Sequence, residues 1–448
     1  MRFLLLLLLF ASRGSGQDAG RDPYDEDYHV FTDAPRLLLT KQRLRLLQRE
    51  RERQSMRWEQ FDSLISGGAP MPEQGVAWAL YYQVAKNQAA GHKAVEWAVD
   101  GKNTDTRQLA LIFDWCSPLM TKSQSDRVAA KLEKSLAEKS PGDVAAQSAR
   151  ALAAIALGDR APDQGEAVLK NIVQQWWRAG IAKNPGAIPR EQTYALYEMM
   201  HAVRDNLKID LRESAPRYFK TLPTDHLVGH YPGPFGAAEN EYRVPVYVRD
   251  GEPNLTVAVY SRAAELAMVA YDNNASESQY LQGWLMQDRF LMRGALGALY
   301  EFLWANPYQP GLSYFQMPLV FHDAVSGHVF ARSSWDEDAT WIGFFDGHLQ
   351  LFRKGQVETL RPGATFSPIH IGDAVLMRGS DPEYKFRADG EALFVLGLTP
   401  KATYDIEVDN EEMSERETDT GGTLVISLAP GVDGSAPNLG GRLKKRIK

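Results

Sequence analysis

The chain has 448 residues, and its formal net charge of -7 at pH 7 gives no reason to expect nucleic acid or an anionic membrane surface as a partner. Its single cysteine, Cys116, excludes an internal disulfide, and a chain of this length buries a sufficient core without one. Cys116 lies in an apolar, helix-like run, LALIFDWCSPLM, which favours a small buried hydrophobe over a nucleophile.

Residues 1–16, MRFLLLLLLFASRGSG, have the pattern of a secretory signal peptide. Arg2 precedes the apolar run Phe3–Phe10, and Gly14 and Gly16 are small residues before a plausible cleavage point. The apolar run is too short to span a bilayer. We therefore predict an exported protein, secreted or periplasmic, without a membrane anchor.

Residues 34–305 have the pattern of successive amphipathic helices. After DAPRLLLT, Thr40 is a favourable N-cap for a helix that begins at Lys41. Apolar residues spaced three and four apart predict further helices at Gln74–Asn87, Ala89–Val99, Asp105–Leu119, Ser123–Glu138, Gly142–Leu157, Asp163–Ala179, Glu191–Asn206, Leu211–Thr221, Leu255–Tyr271 and Ser278–Trp304. Turn-like links such as SPGD and KNPGAIP separate them, so we predict stacked helical hairpins that form a solenoid or an (α/α) toroid.

The stretch Thr224–Pro253 interrupts this pattern with no sustained helical period. A loop of about thirty residues inside a compact domain is uncommon and is usually functional, and this one holds too many aromatic residues to be disordered. We interpret it as an ordered segment across the mouth of the helical domain and as the best candidate for the active site. Its proton-transferring and anion-binding side chains are His226, His230, Tyr231, Glu239, Asn240, Tyr242 and Arg243.

The composition changes near Asn306, after which short alternating runs and turn residues predominate. The predicted strands are Leu319–His322, His328–Arg332, Ala339–Phe345, Leu349–Arg353, Ala374–Arg378, Leu393–Leu398, Thr403–Val408 and Thr423–Leu428. We predict an antiparallel β-sandwich domain over residues 306–430 and a disordered basic tail over residues 431–448. The predicted fold class is α+β, with helices before sheets.

Several segments together resemble the heparinase II/III-type polysaccharide lyases and their alginate- and chondroitin-lyase relatives. These are APRLLLT with its charged helix, FDWCSPL, and GHVFARSSWDEDATWIGFFDGHLQLFRKGQVETLRPG. The resemblance implies an (α/α) toroid followed by β-sandwich material. It also implies that an acidic, uronate-containing glycan is cleaved by β-elimination, with a tyrosine and a histidine as the proton-transfer pair.

The β-part departs from the pattern of that family. DGHLQLF keeps His348 alone, and Arg361 stands where an acidic residue falls in the family. Further on, His370 has no following asparagine, although Asp373 is near it. Two histidines and one aspartate at such loose spacing are a weak metal signature, and a cation at Arg361 would oppose a metal. We therefore predict no metal and no other cofactor.

β-Elimination requires a base near the carbon next to the substrate carboxylate, an acid near the leaving oxygen, and donors or cations that neutralise the carboxylate. A tyrosine serves as the base only if nearby positive charge lowers its pKa. The candidate proton-transfer residues are Tyr231, Tyr242, His230 and His201. The candidate substrate-binding residues are Asn240, Arg243, Glu239 and His348.

Structural roles explain several of these residues equally well. Tyr231 and Tyr242 could anchor the segment by packing, and His201 could be a satisfied histidine of a helical wall. Arg243 could form an ordinary salt bridge with a neighbouring glutamate.

Two other functions stay open. A glycoside hydrolase needs two carboxylates across the cleft, and the available ones are Glu239, Glu241, Asp225 and Glu198. A glycan-binding or structural protein would keep the architecture without the chemistry.

Overall fold

A computed structural model describes residues 26–137, 142–237, 241–248, 251–287, 294–361, 363–364, 366–408, 414–427 and 438–446. The signal-peptide prediction for residues 1–16 lies outside these ranges, as do Glu239 and Asn240. A helical N-terminal region is followed by a sheet-rich C-terminal region. None of the helices in the described ranges is long and apolar enough to span a membrane.

The α-helices in the described ranges are α1 (Lys41–Glu52), α2 (Met56–Ser66), α3 (Gln74–Ala85), α4 (Gln88–Val99), α5 (Thr106–Cys116), α6 (Lys122–Ala137), α7 (Val144–Ala156), α8 (Pro162–Lys170), α9 (Thr193–Leu207), α10 (Pro216–Val228), α11 (Leu255–Tyr271), α12 (Ser276–Gln287) and α13 (Gly294–Trp304). The Thr40 side chain accepts a hydrogen bond from the Arg43 amide, which confirms the predicted N-cap. Cys116 is buried, as predicted.

Two predicted helix boundaries are wrong. The single helix predicted over Ser278–Trp304 is two helices, α12 and α13, with residues 288–293 between them outside the described ranges. Helix α10 continues to Val228, so the first residues of the predicted irregular stretch belong to a helix. The α10 side chains in this last turn are buried, and tertiary packing therefore extends a helix whose sequence pattern is weak there.

Alternate helices of this region contact one another in the order α3, α5, α7, α9, α11 and α13. Helix α13 also contacts α2, which contacts α3, so the series of contacts returns to its start. Nine of the eleven residues of α5 are buried, whereas α6 buries only four of its sixteen. This difference places α5 inside the helical region and α6 at its surface.

The strands in the described ranges are β1 (Phe235–Gly236), β2 (Glu241–Tyr242), β3 (Val320–Asp323), β4 (His328–Arg332), β5 (Trp341–Phe345), β6 (His348–Arg353), β7 (Gln356–Leu360), β8 (Ile369–Ile371), β9 (Ala374–Arg378), β10 (Glu383–Asp389), β11 (Ala392–Leu396), β12 (Thr403–Val408), β13 (Ser414–Glu417), β14 (Leu424–Ser427) and β15 (Asn438–Lys445). Strands β1 and β2 form a short hairpin. The first large sheet is the antiparallel meander β3-β4-β5-β6-β7. The second has the order β14-β11-β9-β8, and the third β10-β15-β12-β13.

The C-terminal region differs from a purely antiparallel sandwich. After β9, the chain passes to the third sheet, where β10 pairs with β15. It then returns to the second sheet, where β11 pairs with β9 in parallel. The second sheet packs on the first through one face and on the third through the other. This explains why β9 and β11 are apolar on both faces, which is typical of strands covered on both sides.

The first sheet also packs against the helices. Phe330, Trp341, Phe345 and Phe352 on that face belong to the same apolar cluster as the helical core. The layers therefore follow one another as helices, first sheet, second sheet and third sheet.

The predicted disorder of the tail is wrong for Asn438–Lys445, because β15 lies between β10 and β12 in the third sheet. Leu443 is fully buried there with Tyr404 and Ile406. At Gly441 a Cβ atom would lie 2.3 Å from the Phe386 ring, so this glycine permits close packing. The glycine pair and the basic residues conceal the strand in the sequence.

Candidate active site

A cavity of about 590 Å³, the larger cavity, lies between the helical region and the first sheet. Its walls come from the segment before α9, from α10, from residues 244–248 and 253–257, and from the β3–β4 and β5–β6 turns. Concave sites of this size with convergent polar groups are the usual location of ligand binding. Its titratable lining residues are Arg190, Glu191, Tyr218, Asp225, His226, Tyr247, Asp323, His328 and Asp346.

His328 in this cavity is held in its charged form by Asp225. Its Nδ1 donates to Asp225 Oδ1 at 2.9 Å, and its Nε2 lies 3.7 Å from Asp346 Oδ1. Burial lowers the pKa of His328, but the Asp225 charge and hydrogen bond outweigh burial and raise this pKa to about 10. The same contact lowers the pKa of Asp225 against the opposing effect of burial. Nε2 has no hydrogen-bond partner among the described residues, so its proton faces the cavity without an acceptor.

Asp346 lies in the tight turn between β5 and β6. Asp346 and Gly347 join β5 to β6, and both have positive φ, 48° and 74°. An Asp-Gly pair suits such a two-residue hairpin, because glycine and aspartate tolerate this conformation. The nearby His328 imidazolium lowers the pKa of Asp346.

His226 lines the same cavity in the neutral form. Burial is the main cause that lowers its pKa well below the usual value, and the nearby Arg190 guanidinium lowers it further. Its Nδ1 lies 3.5 Å from Glu265 Oε1. Among the described residues, this Nδ1 has no hydrogen-bond partner.

Glu265 is a fully buried carboxylate that joins His226 to His230. Its Oε1 lies 3.2 Å from an Arg190 nitrogen, 3.4 Å from His230 Nε2, and within 3.0 Å of the Ser261 hydroxyl that donates to it. Arg190 also donates to the carbonyl of His226 at 2.7 Å. The guanidinium thus ties the end of α10 to α11 and compensates the buried charge of Glu265.

His230, a predicted catalytic residue, lies on the other side of this network. Its Nδ1 donates to the His226 carbonyl at 2.7 Å. Burial lowers its pKa to about 3, although the Glu265 carboxylate opposes the shift. The ring packs on Trp284, 4.7 Å away between centroids, and lines a second, smaller pocket of about 200 Å³.

The smaller pocket also contains Tyr231 and Arg243, so three predicted site residues meet there. The Tyr231 hydroxyl donates to Gln350 Oε1 at 2.8 Å and accepts from the Tyr247 amide at 3.3 Å. Burial raises the pKa of Tyr231 above its usual value, which is opposite to what a tyrosine base requires. Arg243 donates to Glu337 at 2.6 Å. Tyr231 is therefore placed as an anchor of the segment on the first sheet.

The remaining predicted site residues lie elsewhere. Tyr242 pairs with Phe235 in the β1–β2 hairpin and lines neither the larger cavity nor the smaller pocket. His201 is buried in the helical core, where Nε2 donates to the Ala267 carbonyl at 3.0 Å and the ring packs on Trp304. His348 is exposed at the start of β6 and lines neither space.

Three residues of this region were missed from the sequence: Arg190, Glu265 and His328. His328 and Asp225 are 103 residues apart, and no local pattern links them. Alternation along β4 could have indicated one face, because His328, Phe330 and Arg332 are spaced by two. In the described part of the chain, no group of three or more His, Cys, Asp or Glu side chains is placed to hold a metal ion.

Comparisons with known proteins do not assign the chain to a family. No family model matches it, and neither does any curated protein. Among the solved structures that match is one described as "Glycoside hydrolase", with 10% sequence identity and a TM-score of 0.33. The match covers 84% of this chain and 72% of that chain. A similarity this low supports no functional argument, so function must be argued from the geometry.

Proposed function

We propose that this protein cleaves an acidic, uronate-containing glycan by β-elimination in the larger cavity, with His226 as the base and His328 as the acid. The observation that carries the proposal is that two histidines of one cavity have pKa values shifted in opposite directions. Groups whose environments separate their pKa values in this way are suited to acid and base roles at the same pH.

The protonation states of the two rings match these roles. His226 is neutral. We assign its proton to Nδ1, 3.5 Å from Glu265 Oε1, which leaves Nε2 as the acceptor that a base needs. His328 is an imidazolium whose Nε2 proton has no acceptor among the described side chains and carbonyls. The two rings differ because Asp225 Oδ1 lies 2.9 Å from His328 Nδ1, whereas Glu265 Oε1 lies 3.5 Å from His226 Nδ1.

The substrate carboxylate would lie near the start of α11. Pro253, Asn254 and Val257 line the cavity at the N-terminus of this seventeen-residue helix. A helix N-terminus carries partial positive charge and favours an anion. The His328 imidazolium adds a full positive charge on the facing sheet.

The reaction then proceeds with balanced proton transfers. His226 Nε2 takes the proton from the carbon next to the carboxylate, and the released electron pair forms a carbon–carbon double bond with the neighbouring carbon. The bond from that neighbour to the glycosidic oxygen breaks, and His328 Nε2 donates its proton to this oxygen. Exchange with solvent afterwards returns both histidines to their starting states.

The residues predicted from the sequence have supporting roles in this proposal. His230 holds the His226 carbonyl, and Tyr231 fixes the segment to Gln350. Arg243 faces the smaller pocket, where it could contact a neighbouring sugar unit.

We also propose that the helices form an (α/α) toroid and that residues 1–16 direct export. The toroid is supported by the helix contacts, which return to α3 through α13 and α2.

The experiment is an ultraviolet absorbance assay of the purified protein with a panel of uronate polysaccharides. A lyase forms an unsaturated product that absorbs in the ultraviolet, a hydrolase forms only reducing ends, and a binding protein forms neither. We expect absorbance to rise for at least one polymer. General acid–base catalysis contributes about a hundred- to ten-thousand-fold, so His226→Gln and His328→Asn should each lower the rate by that order.

The matched control is His92→Gln, an exposed histidine on α4 that should leave the rate unchanged. His328→Asn retains a side-chain donor toward Asp225 while it removes the charge, so its loss of rate would report on the acid. Formation of reducing ends without a rise in ultraviolet absorbance would indicate hydrolysis instead of elimination. Full activity in both cavity variants would refute the assignment of base and acid.

A further inference from the structure

The smaller pocket contains a buried cation that forms no salt bridge with any residue in the described ranges. Arg332, at the end of β4, is only 6% exposed, and burial lowers its pKa to about 10. Its Nε donates to the Ser334 carbonyl at 2.7 Å, and the guanidinium carbon lies 4.4 Å from the Trp335 ring centroid. Among the residues that the structure describes, the Arg332 side chain forms no ion pair and no hydrogen bond besides the one to Ser334, although the nearby Asp336 charge partly opposes the lowering of its pKa.

A second donor in this pocket also lacks a partner. The Trp335 Nε1–H group is buried and has no acceptor in the described part of the chain. A buried donor without a partner is rare and costly. Beside the Arg332 guanidinium, the indole N–H group points to an oxygen-rich ligand. A guanidinium matches the planar, two-oxygen geometry of a carboxylate or sulfate.

The walls of the pocket suit a sugar ring. Trp284 lies on one side, while Tyr314 and Phe315 stack on each other at 4.4 Å, and Phe315 is 55% exposed. Exposed aromatic faces of this kind present apolar surface to a ligand while polar groups fix its orientation. Arg243 brings a second guanidinium to the same pocket.

We propose that the smaller pocket binds an anionic pyranose ring, with Arg332 and the Trp335 indole N–H holding its carboxylate or sulfate. The pocket lies at the opposite end of β4 from His328. Arg332 is four positions after His328 along the strand, which is about 13 Å. Both side chains point to the helical side, so one oligosaccharide could occupy the cavity and the pocket together.

The test is isothermal titration calorimetry of the full-length chain with glucuronate, glucose and inorganic sulfate. We expect glucuronate to bind at least tenfold more tightly than glucose or sulfate alone, because ring and anion both contribute. Arg332→Met and Trp335→Phe should each weaken glucuronate binding about tenfold or more. Trp335→Phe removes the N–H donor and keeps a smaller aromatic ring, so it tests the site even if Arg332→Met fails to fold.

The matched control is Arg353→Met, an exposed arginine on the same sheet, which should bind as the unmodified protein does. Unchanged binding in both pocket variants would overturn the proposal. Loss of binding in His328→Asn, with binding retained in Trp335→Phe, would place the anion in the larger cavity and also overturn it. None of these readouts depends on cleavage, so a failure here is distinct from a failure of the proposed elimination.

Discussion

At the scale of single residues, His226 and His328 differ because their neighbouring carboxylates differ. Asp225 accepts a hydrogen bond from His328 at 2.9 Å, and its attraction for the imidazolium outweighs the free-energy cost of burying that charge. Glu265 stands 3.5 Å from His226, and Arg190 already compensates its charge. His226 therefore experiences burial and a nearby cation, and it stays neutral.

Buried neutral histidines should make the protein less stable in acid. The folded-state pKa of His230 is about 3, below the value near 6.5 of an unfolded chain. Its contribution to the free energy of unfolding is therefore complete above pH 6.5 and is lost as pH falls toward 3, by up to about 1.4 kcal/mol per pH unit. His230→Asn keeps a donor toward the His226 carbonyl and does not titrate.

Urea unfolding between pH 7 and pH 4 measures this difference. We expect the free energy of unfolding of the unmodified protein to fall more steeply with acid than that of His230→Asn, by about 1.4 kcal/mol per pH unit. His92→Asn, at an exposed position, should follow the unmodified protein. Parallel curves for His230→Asn and the unmodified protein would contradict a buried neutral His230.

Part of the proposed site could be predicted because some of its residues are close together in the sequence. His226 and His230 fall in one aromatic segment, and their concentration there was visible without a structure. His328 was not, because its role comes from a contact with a residue 103 positions earlier. For Tyr231, the sequence alone suggested a catalytic phenol. The fold shows that its hydroxyl is hydrogen-bonded to Gln350 and to the Tyr247 amide.

At the scale of elements, β4 connects the two spaces. Its alternate residues His328, Phe330 and Arg332 face the helices, while Val329 and Ala331 pack toward the second sheet. His328 thereby reaches the larger cavity and Arg332 the smaller pocket. Phe330 fills the space between them by stacking on Trp341, with ring centroids 5.7 Å apart.

Packing of β5 on α10 should be sensitive to one added methyl group. Trp341 Nε1 donates to the Val228 carbonyl at the end of α10 at 3.2 Å. A Cβ at Gly343 would lie 2.2 Å from the Trp341 ring, so Gly343→Ala must displace the indole. Overpacking of this kind costs about 1–3 kcal/mol, and we expect a loss of that size in the free energy of urea unfolding.

Gly101→Ala is the matched control, because a Cβ there meets no atom within 4 Å. Its stability should be unchanged or slightly raised, since alanine restricts the unfolded chain. Equal stability of Gly343→Ala and Gly101→Ala would show that the indole moves freely, contrary to the packing described.

Elements were predictable where their apolar pattern is strong. Helix α5 and strand β4 were predicted close to their observed bounds because apolar spacing defines them. Strand β10, EYKFRAD, is largely charged, and β8 has three residues, so neither gave a strand pattern. Strand β15 holds two glycines and was predicted as disordered, although its partners β10 and β12 pair with it on both sides.

At the scale of the whole molecule, the larger cavity forms where the helical layer meets the first sheet. Helix α10 supplies Asp225 and His226, and the first sheet supplies His328 and Asp346. The order of helices before sheets was predictable from composition. The junction between them was not, because it is formed by residues from distant parts of the chain, such as Arg190 and Phe345.

The account depends most on the opposite charge states of two histidines across this junction. Nitrogen NMR of the intact protein with labelled imidazoles measures them, and His226→Gln and His328→Asn assign the two signals. We expect His328 to stay protonated until the pH approaches about 10, and His226 to stay neutral well below pH 6.5. Titration of both rings together near pH 6.5 would contradict the assignment of one as base and the other as acid.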